Sequence, residues 1–158
     1  MSSGPKYGHI LGDGHGARMA LTTTNYFNEK GGHFVYNNSG SAALATSSSS
    51  YLIGWAETGK LYGYGANYFV STSTSDALVI PAGTDDVYRV PAGSAVTTSD
   101  RGKKYKITYS GSNTTLIQKV DNDGTDYQTA QLYVYDVDAD DIANQTLQVK
   151  LLAANPAS

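Results

Sequence analysis

The chain has 158 residues, a formal net charge of −3, no cysteine and 16% charged residues, against about 25% in an average globular protein. This balance excludes the global basic field of a dedicated nucleic-acid binder, and the absence of cysteine excludes disulfides, thiolate catalysis and cysteine-ligated zinc. No stretch approaches the roughly 20 apolar residues of a membrane-spanning helix, and the first six residues lack the apolar run of a signal peptide. We therefore expect neither nucleic acid nor a membrane as partner.

Residues 1–16 are rich in glycine and poor in apolar side chains. Such a segment buries too little apolar surface to offset the entropy lost on ordering. We predict an extended N-terminal arm over residues 1–16, held by a partner or a neighbouring subunit, and a single β domain over residues 17–158.

The first half of this domain alternates short apolar runs with polar loops. Strands are predicted at 17–24, 33–38 and 51–56, with a turn at 37–41 and a serine-rich loop at 46–50. Two further strands, 77–80 and 87–90, run into Pro81 and Pro91. Because proline cannot donate to a ladder, each of these strands ends there or lies on an edge.

The last third has the clearest two-residue period. Tyr105, Ile107 and Tyr109 share one face of a strand, and further strands are predicted at 114–120, 130–137 and 147–151. Asp138 is placed to cap one helical turn. Strands at this spacing, separated by turn signals, predict an all-β fold: an antiparallel β-sandwich or barrel of short strands.

The chain contains 13 tyrosines, which suit both half-buried sheet faces and interfaces. Tyr105, Tyr109, Tyr133 and Tyr135 alternate within strands, so we expect most of them to cover the core. Five other tyrosines lie in the arm or in glycine-broken segments, where a core role is harder to assign: Tyr7, Tyr26, Tyr62, Tyr64 and Tyr68. The predicted capsid or subunit interface consists of Tyr7, His9, Tyr26, Tyr62, Tyr64 and Tyr68.

Histidines and carboxylates suggest two kinds of site, each with a simpler alternative. His9, Asp13 and His15 are metal-ligand or acid–base types, but a flexible arm cannot preorganise a site, and polar arm residues are the alternative. Asp121, Asp123 and Asp126 supply oxygen atoms that Ca²⁺ accepts, but their spacing is not that of an EF-hand. A hairpin turn is the alternative there. We predict no cofactor and leave calcium open.

Two other clusters favour scaffold roles. Lys104 and Lys106 lie on one face of a strand and Tyr105 lies on the other, so the cations are separated from the aromatic ring. This arrangement favours a solvated face over nucleic-acid contact.

Trp55, near Tyr51, suits either a sugar-binding cleft or the core. No serine lies in G-x-S-x-G, so we expect no enzyme.

The pattern as a whole resembles bacteriophage capsid decoration (cement) proteins and similar auxiliary virion proteins. The resemblance lies in the glycine-rich N-terminal segment, the Ser/Thr-rich loops at 46–50 and 71–75, the Ala77–Pro91 stretch, and the ending Tyr133–Leu152. It implies a structural virion protein that is made in the host cytoplasm and binds the outer surface of the capsid lattice. The implied partner is the major capsid protein, bound without catalysis and often by a homotrimer. The alternative is a carbohydrate- or receptor-binding β module of a phage tail or fibre.

Overall fold

The computed structural model describes residues 7–49, 52–58, 67–123 and 130–152. Within these ranges the chain forms thirteen β-strands and one short α-helix, α1 (Ala139–Asn144). The strands, in chain order, are β1 (Gly8–Leu11), β2 (Ala17–Ala20), β3 (Tyr26–Asn28), β4 (Phe34–Asn38), β5 (Ser41–Leu44), β6 (Leu52–Glu57), β7 (Tyr68–Val70), β8 (Asp76–Pro81), β9 (Val87–Pro91), β10 (Lys104–Ser110), β11 (Ile117–Asp121), β12 (Leu132–Asp136) and β13 (Thr146–Leu151).

The described strands belong to three sheets. The larger sheet has six strands in the order β1-β9-β13-β12-β10-β11, and the smaller sheet has five in the order β2-β8-β6-β4-β5. Strands β3 and β7 pair with each other in a two-stranded sheet, which we call the ribbon. The antiparallel sheets pack in a sandwich-like arrangement, so the predicted all-β fold of short strands is confirmed.

Local chemistry explains where several elements begin and end. β8 ends at Pro81 and β9 ends at Pro91, because proline has no N–H to donate to the ladder. Both strands lie inside their sheets and not on an edge. Between β4 and β5, Ser39 and Gly40 have φ values of 53° and 100°, as a tight two-residue hairpin turn requires. Asp138 caps α1, since its Oδ1 accepts the Asp141 N–H at 2.9 Å. These predicted features are confirmed.

The smaller sheet is the middle layer, because apolar side chains cover both of its faces. Phe34 and Trp55 face the larger sheet and belong to the core between the two main sheets. Their chain neighbours Val35 and Ala56 face the other way and form a second core with Phe27 of the ribbon. Successive side chains of a strand point to opposite faces, so apolar residues at adjacent positions are what a sheet buried on both sides requires.

Both main sheets curl, so that strands at or next to opposite edges approach each other. Leu21, after β2, forms a bridge with Ala42 of β5. Ala92, after β9, forms a bridge with Val120 of β11. These bridges cover part of the sheet edges, where unpaired backbone groups would otherwise invite further strand pairing.

The separate arm predicted for residues 1–16 is not confirmed. Residues 1–6 lie outside the described residues, but Gly8–Leu11 form β1 and pair with β9. Gly8 has a φ of 82°, and a Cβ atom there would lie 3.4 Å from the Trp55 ring. Composition reflects only how much apolar surface a segment can bury. A sheet edge also offers backbone donors and acceptors, and a glycine-rich strand can pair with them as well as any other strand can.

Candidate functional site

The ribbon carries a half-exposed aromatic face. Its register pairs three residues of β3 with three of β7: Tyr26 with Val70, Phe27 with Phe69, and Asn28 with Tyr68. Phe27 and Phe69 pack into the second core. Because side chains alternate along a strand, the other four point away from this core, and each is half-buried. We call these four residues, Tyr26, Asn28, Tyr68 and Val70, the ribbon face.

Side-chain hydrogen bonds attach one end of the ribbon to the domain. Asn25, just before β3, accepts the Leu44 N–H at 2.8 Å and donates to the Thr22 carbonyl at 3.2 Å. The Ser71 hydroxyl, just after β7, accepts the Asn25 N–H at 2.9 Å and donates to the same Thr22 carbonyl. Together with the Phe27 side chain in the second core, these bonds hold the ribbon face in a defined position.

A groove of about 460 Å³ adjoins the ribbon at Tyr26. It is lined by uncharged residues of the β3 end of the ribbon, the β5 end and the turn after β10: Thr24, Asn25, Tyr26, Leu44, Thr46, Tyr109, Ser112, Asn113 and Leu116. Its volume lies in the range of small-molecule sites.

Tyr109 contributes a neutral polar side chain to the groove lining. Its hydroxyl donates to the Ala45 carbonyl and accepts from Gln118 Nε2 at 3.3 Å. Burial of the ring raises the pKa of Tyr109 to about 12, outweighing the Gln118 hydrogen bond, which lowers it. The hydroxyl therefore stays protonated at neutral pH, and the groove lining carries no charge.

The structure brings together only some of the predicted interface residues. Tyr26 and Tyr68 share the ribbon face. His9 lies in β1 of the larger sheet, and half-buried Tyr7 immediately precedes that strand. Tyr62 and Tyr64 lie outside the described residues. We take the ribbon face, which contains two of the predicted residues, as the candidate surface; the interface role of the other four stays a prediction.

His9 forms a short, half-buried pair with Asp86. Its Nε2 lies 2.7 Å from Asp86 Oδ1, which also accepts the Gly14 N–H at 2.8 Å. The Thr84 hydroxyl donates to Asp86 Oδ2 at 2.6 Å. Burial works to raise the pKa of Asp86, but the hydrogen bonds from Thr84, His9 and Gly14 outweigh it and lower the pKa. The carboxylate thus ties the N-terminal segment to the start of β9.

Trp55 does not line a sugar-binding cleft, and the core alternative is confirmed. It is 1% exposed, and its ring stacks between His33 and Tyr88 with centroid separations of 5.0 and 4.5 Å. Burial raises the pKa of Tyr88, and the negative charges of Asp86 and Glu57 raise it further. This aromatic stack links both main sheets and serves the fold.

The predicted tyrosine scaffold is confirmed in part. Tyr105 is 1% exposed and Tyr109 packs against both cores. Tyr135 is 42% exposed, with the Lys150 ammonium 5.0 Å from its ring centroid, so it is not one of the tyrosines that cover the core. The alternation in β12 places Val134, not Tyr135, in the core.

The two ion-binding hypotheses have different outcomes. Among the described residues, no group of three or more histidines and carboxylates is arranged to hold a metal ion. Asp126 of the suggested calcium turn lies outside those residues, so the calcium hypothesis stays open. The second acidic cluster, around Asp138, is structural: Asp141 is fully buried and accepts from Arg89 Nε at 3.0 Å and the Thr146 hydroxyl at 2.7 Å.

Two residues of the groove were missed in the sequence. Thr24 and Asn113 have φ values of 63° and 51°, although neither is glycine. The Gly-Ser-Asn turn at 111–113 was a usable signal, since asparagine tolerates the left-handed region. No residue near Thr24 gave a comparable signal in the sequence, because the backbone conformation of Thr24 depends on the ribbon that follows it.

Comparison of the chain with protein-family models, curated proteins and solved structures finds no match in any of the three. Within the described residues, no helix has the length and apolar character needed to cross a membrane.

Proposed function

We propose that this chain is a structural virion protein that binds the outside of a phage capsid lattice and reinforces it without catalysis. Its partner is the major capsid protein, bound across subunit boundaries, and copies of the chain associate with one another on the capsid exterior. The observation that supports this proposal is the ribbon face, where Tyr26 and Tyr68 are presented together on an anchored ribbon.

The ribbon face has the chemistry of a contact surface. Tyrosine supplies a large amphipathic ring with few rotatable bonds, so little conformational entropy is lost when it becomes buried. No charged side chain belongs to the face, so docking avoids the cost of desolvating an ion. Anchoring by Phe27, Asn25 and Ser71 keeps the two rings in place before binding.

The ribbon face is too small to form a stable interface by itself, so several copies would have to bind together. Each ribbon strand has three residues, or about 10 Å of length, whereas a stable interface buries about 800 Å² on each partner. A lattice offers many equivalent contacts, and several weak ones combine when copies associate. Binding to the assembled lattice and not to its free subunits stabilises the lattice by linkage.

The test is co-sedimentation of the purified chain with shells of its own phage, followed by thermal melting of the shells. We expect the chain to sediment with shells and raise their melting temperature. Tyr26→Ala and Tyr68→Ala should each weaken binding about tenfold or more, whereas Tyr135→Ala, a matched exposed tyrosine on the larger sheet, should not. Wild-type protein that remains in the supernatant at all concentrations would refute the proposal.

The alternative, a carbohydrate- or receptor-binding module of a tail or fibre, makes the opposite prediction. Such a module would bind cell-surface glycans or receptors and leave shells unchanged. Labelling the chain and locating it on intact virions by electron microscopy separates the two: density over the head supports decoration, and density at the tail supports the alternative.

A further inference from the structure

The groove beside the ribbon has chemistry of its own, which does not depend on capsid attachment. We propose that it is a binding site for a neutral saccharide. Three observations lead to this ligand class: polar groups in the lining that make no hydrogen bond to the described residues, the absence of charge from the lining, and two bordering loop residues with left-handed backbone conformations.

Three lining side chains have polar groups that make no hydrogen bond within the described residues; two of these side chains are solvent-exposed and one is half-buried. They are the Thr24 hydroxyl, the Tyr26 hydroxyl and the Asn113 amide. Asn25 differs, since both ends of its amide bond to backbone groups. The hydroxyls and the amide provide both donors and acceptors. Because these groups face solvent, a hydroxyl-rich ligand replaces the hydrogen bonds that water makes to them, whereas a purely apolar ligand displaces the water without replacing those bonds.

The lining selects against charged ligands. None of its nine residues is charged, and phosphates, nucleotides and carboxylates are normally held by arginine, lysine or a helix terminus. Apolar surface comes from Leu44, Leu116 and the tyrosine rings. A neutral sugar has apolar C–H faces and polar hydroxyl edges, so it fits a site that mixes aromatic rings with hydroxyl and amide groups.

Thr24 and Asn113 lie on two different loops and both have left-handed backbone conformations. For Thr24, which is β-branched, this conformation costs on the order of 1–3 kcal/mol and persists only where its surroundings hold it, whereas asparagine tolerates it at lower cost. Asn113 makes no side-chain hydrogen bond within the described residues. Strained residues of this kind occur often at ligand sites, and Thr24 borders this groove.

The experiment is an amide-shift NMR titration of the full ¹⁵N-labelled chain with maltotriose, cellotriose and chitotriose, each to about 10 mM, in the range of weak single-site affinity. We expect at least one of them to shift the amides of Thr24, Tyr26 and Asn113. Asn113→Gly removes the amide and relieves the backbone, so it should weaken binding fivefold or more while the spectrum remains that of a folded protein. Tyr68→Ala, on the ribbon face but outside the groove, should bind the sugar as the wild type does.

Several results would overturn the proposal. They are no shift with any of the three sugars, shifts confined to residues outside the groove, unchanged binding by Asn113→Gly, or tighter binding of anionic sialyllactose than of every neutral sugar. The same variants separate this proposal from the capsid proposal. Asn113→Gly should keep shell binding and lose the sugar, and Tyr68→Ala should do the reverse.

Discussion

The side chain of Gln118 pairs with the backbone of Phe34 as a neighbouring strand would. Its Oε1 accepts the Phe34 N–H at 2.9 Å, and its Nε2 donates to the Phe34 carbonyl at 3.0 Å. The same nitrogen lies 3.1 Å from the Ala45 carbonyl. Gln118 belongs to the larger sheet and Phe34 to the smaller one. One buried amide therefore joins two sheets that share no strand ladder within the described residues.

Replacing Gln118 with leucine should destabilise the fold. The change leaves the buried Phe34 N–H without this partner, while the Phe34 carbonyl still accepts the Ala45 N–H at 2.9 Å. We expect the free energy of unfolding to fall by about 1–3 kcal/mol in urea titration, the cost of one unsatisfied buried group. Gln118→Glu keeps the shape but loses the donor and buries a carboxylate, so at neutral pH it should cost at least as much. A loss below about 0.5 kcal/mol for Gln118→Leu would show that the amide is not structural.

Stability should fall on mild acidification because of His33. Burial lowers its pKa from 6.5 to about 4, and the hydrogen bonds to the Asn28 and Ala56 carbonyls only partly offset this. Between these two pKa values the unfolded chain binds a proton that the folded chain excludes. The contribution of His33 to the free energy of unfolding is therefore fully present above pH 6.5 and is lost as the pH falls toward 4. At about 1.4 kcal/mol per pH unit, the loss approaches about 3 kcal/mol.

Urea unfolding at a series of pH values between about 4 and 7 measures this dependence. His33→Gln retains an amide donor but does not titrate, so its stability should change much less across the window. His15→Gln, a matched control at an exposed histidine, should follow the wild type. Equal slopes for His33→Gln and the wild type would assign the pH dependence to other groups.

Asp86→Ala should loosen β1 without unfolding the domain. It removes the acceptor for His9, Gly14 and Thr84, and hydrogen bonds to a charged group contribute about 1.5–3 kcal/mol each. We expect amide hydrogen exchange over Gly8–Leu11 to speed up at least tenfold, with little change in β12 and β13. Asp85→Ala is the matched control, because Asp85 is fully exposed and surface ion pairs contribute little. Unchanged protection of β1 in Asp86→Ala would contradict the anchoring role.

Thr24→Gly should stabilise the protein. Threonine is β-branched and poorly suited to a φ of 63°, and glycine adopts this conformation without strain. Relief of the backbone strain outweighs the extra conformational entropy that glycine loses on folding. The free energy of unfolding should therefore rise by about 1 kcal/mol. Thr23→Gly is the neighbouring control: Thr23 is exposed and not among the positive-φ residues, so it should lose about 0.5–1 kcal/mol. A destabilised Thr24→Gly would show that its side chain holds the turn.

Features set by neighbouring residues were predictable from the sequence. Alternation located β10, β12 and β13, Pro81 and Pro91 marked two strand ends, and Asp138 capped α1. The three-residue strands β3 and β7 were too short for a period to stand out, although Tyr26 and Tyr68 were singled out as contact residues. Their placement on one face follows from pairing between segments about forty residues apart.

The sequence alone determined the fold class of this protein, because a two-residue period, turn residues and caps act over a few positions. Only the tertiary structure decided where the candidate surface lies. It placed Gly8–Leu11 in a sheet edge, buried Trp55 between two rings, and brought Thr24 and Asn113 to one groove. Contacts of this kind join residues far apart in the chain, and composition or local spacing carries no record of which distant backbone will be their partner.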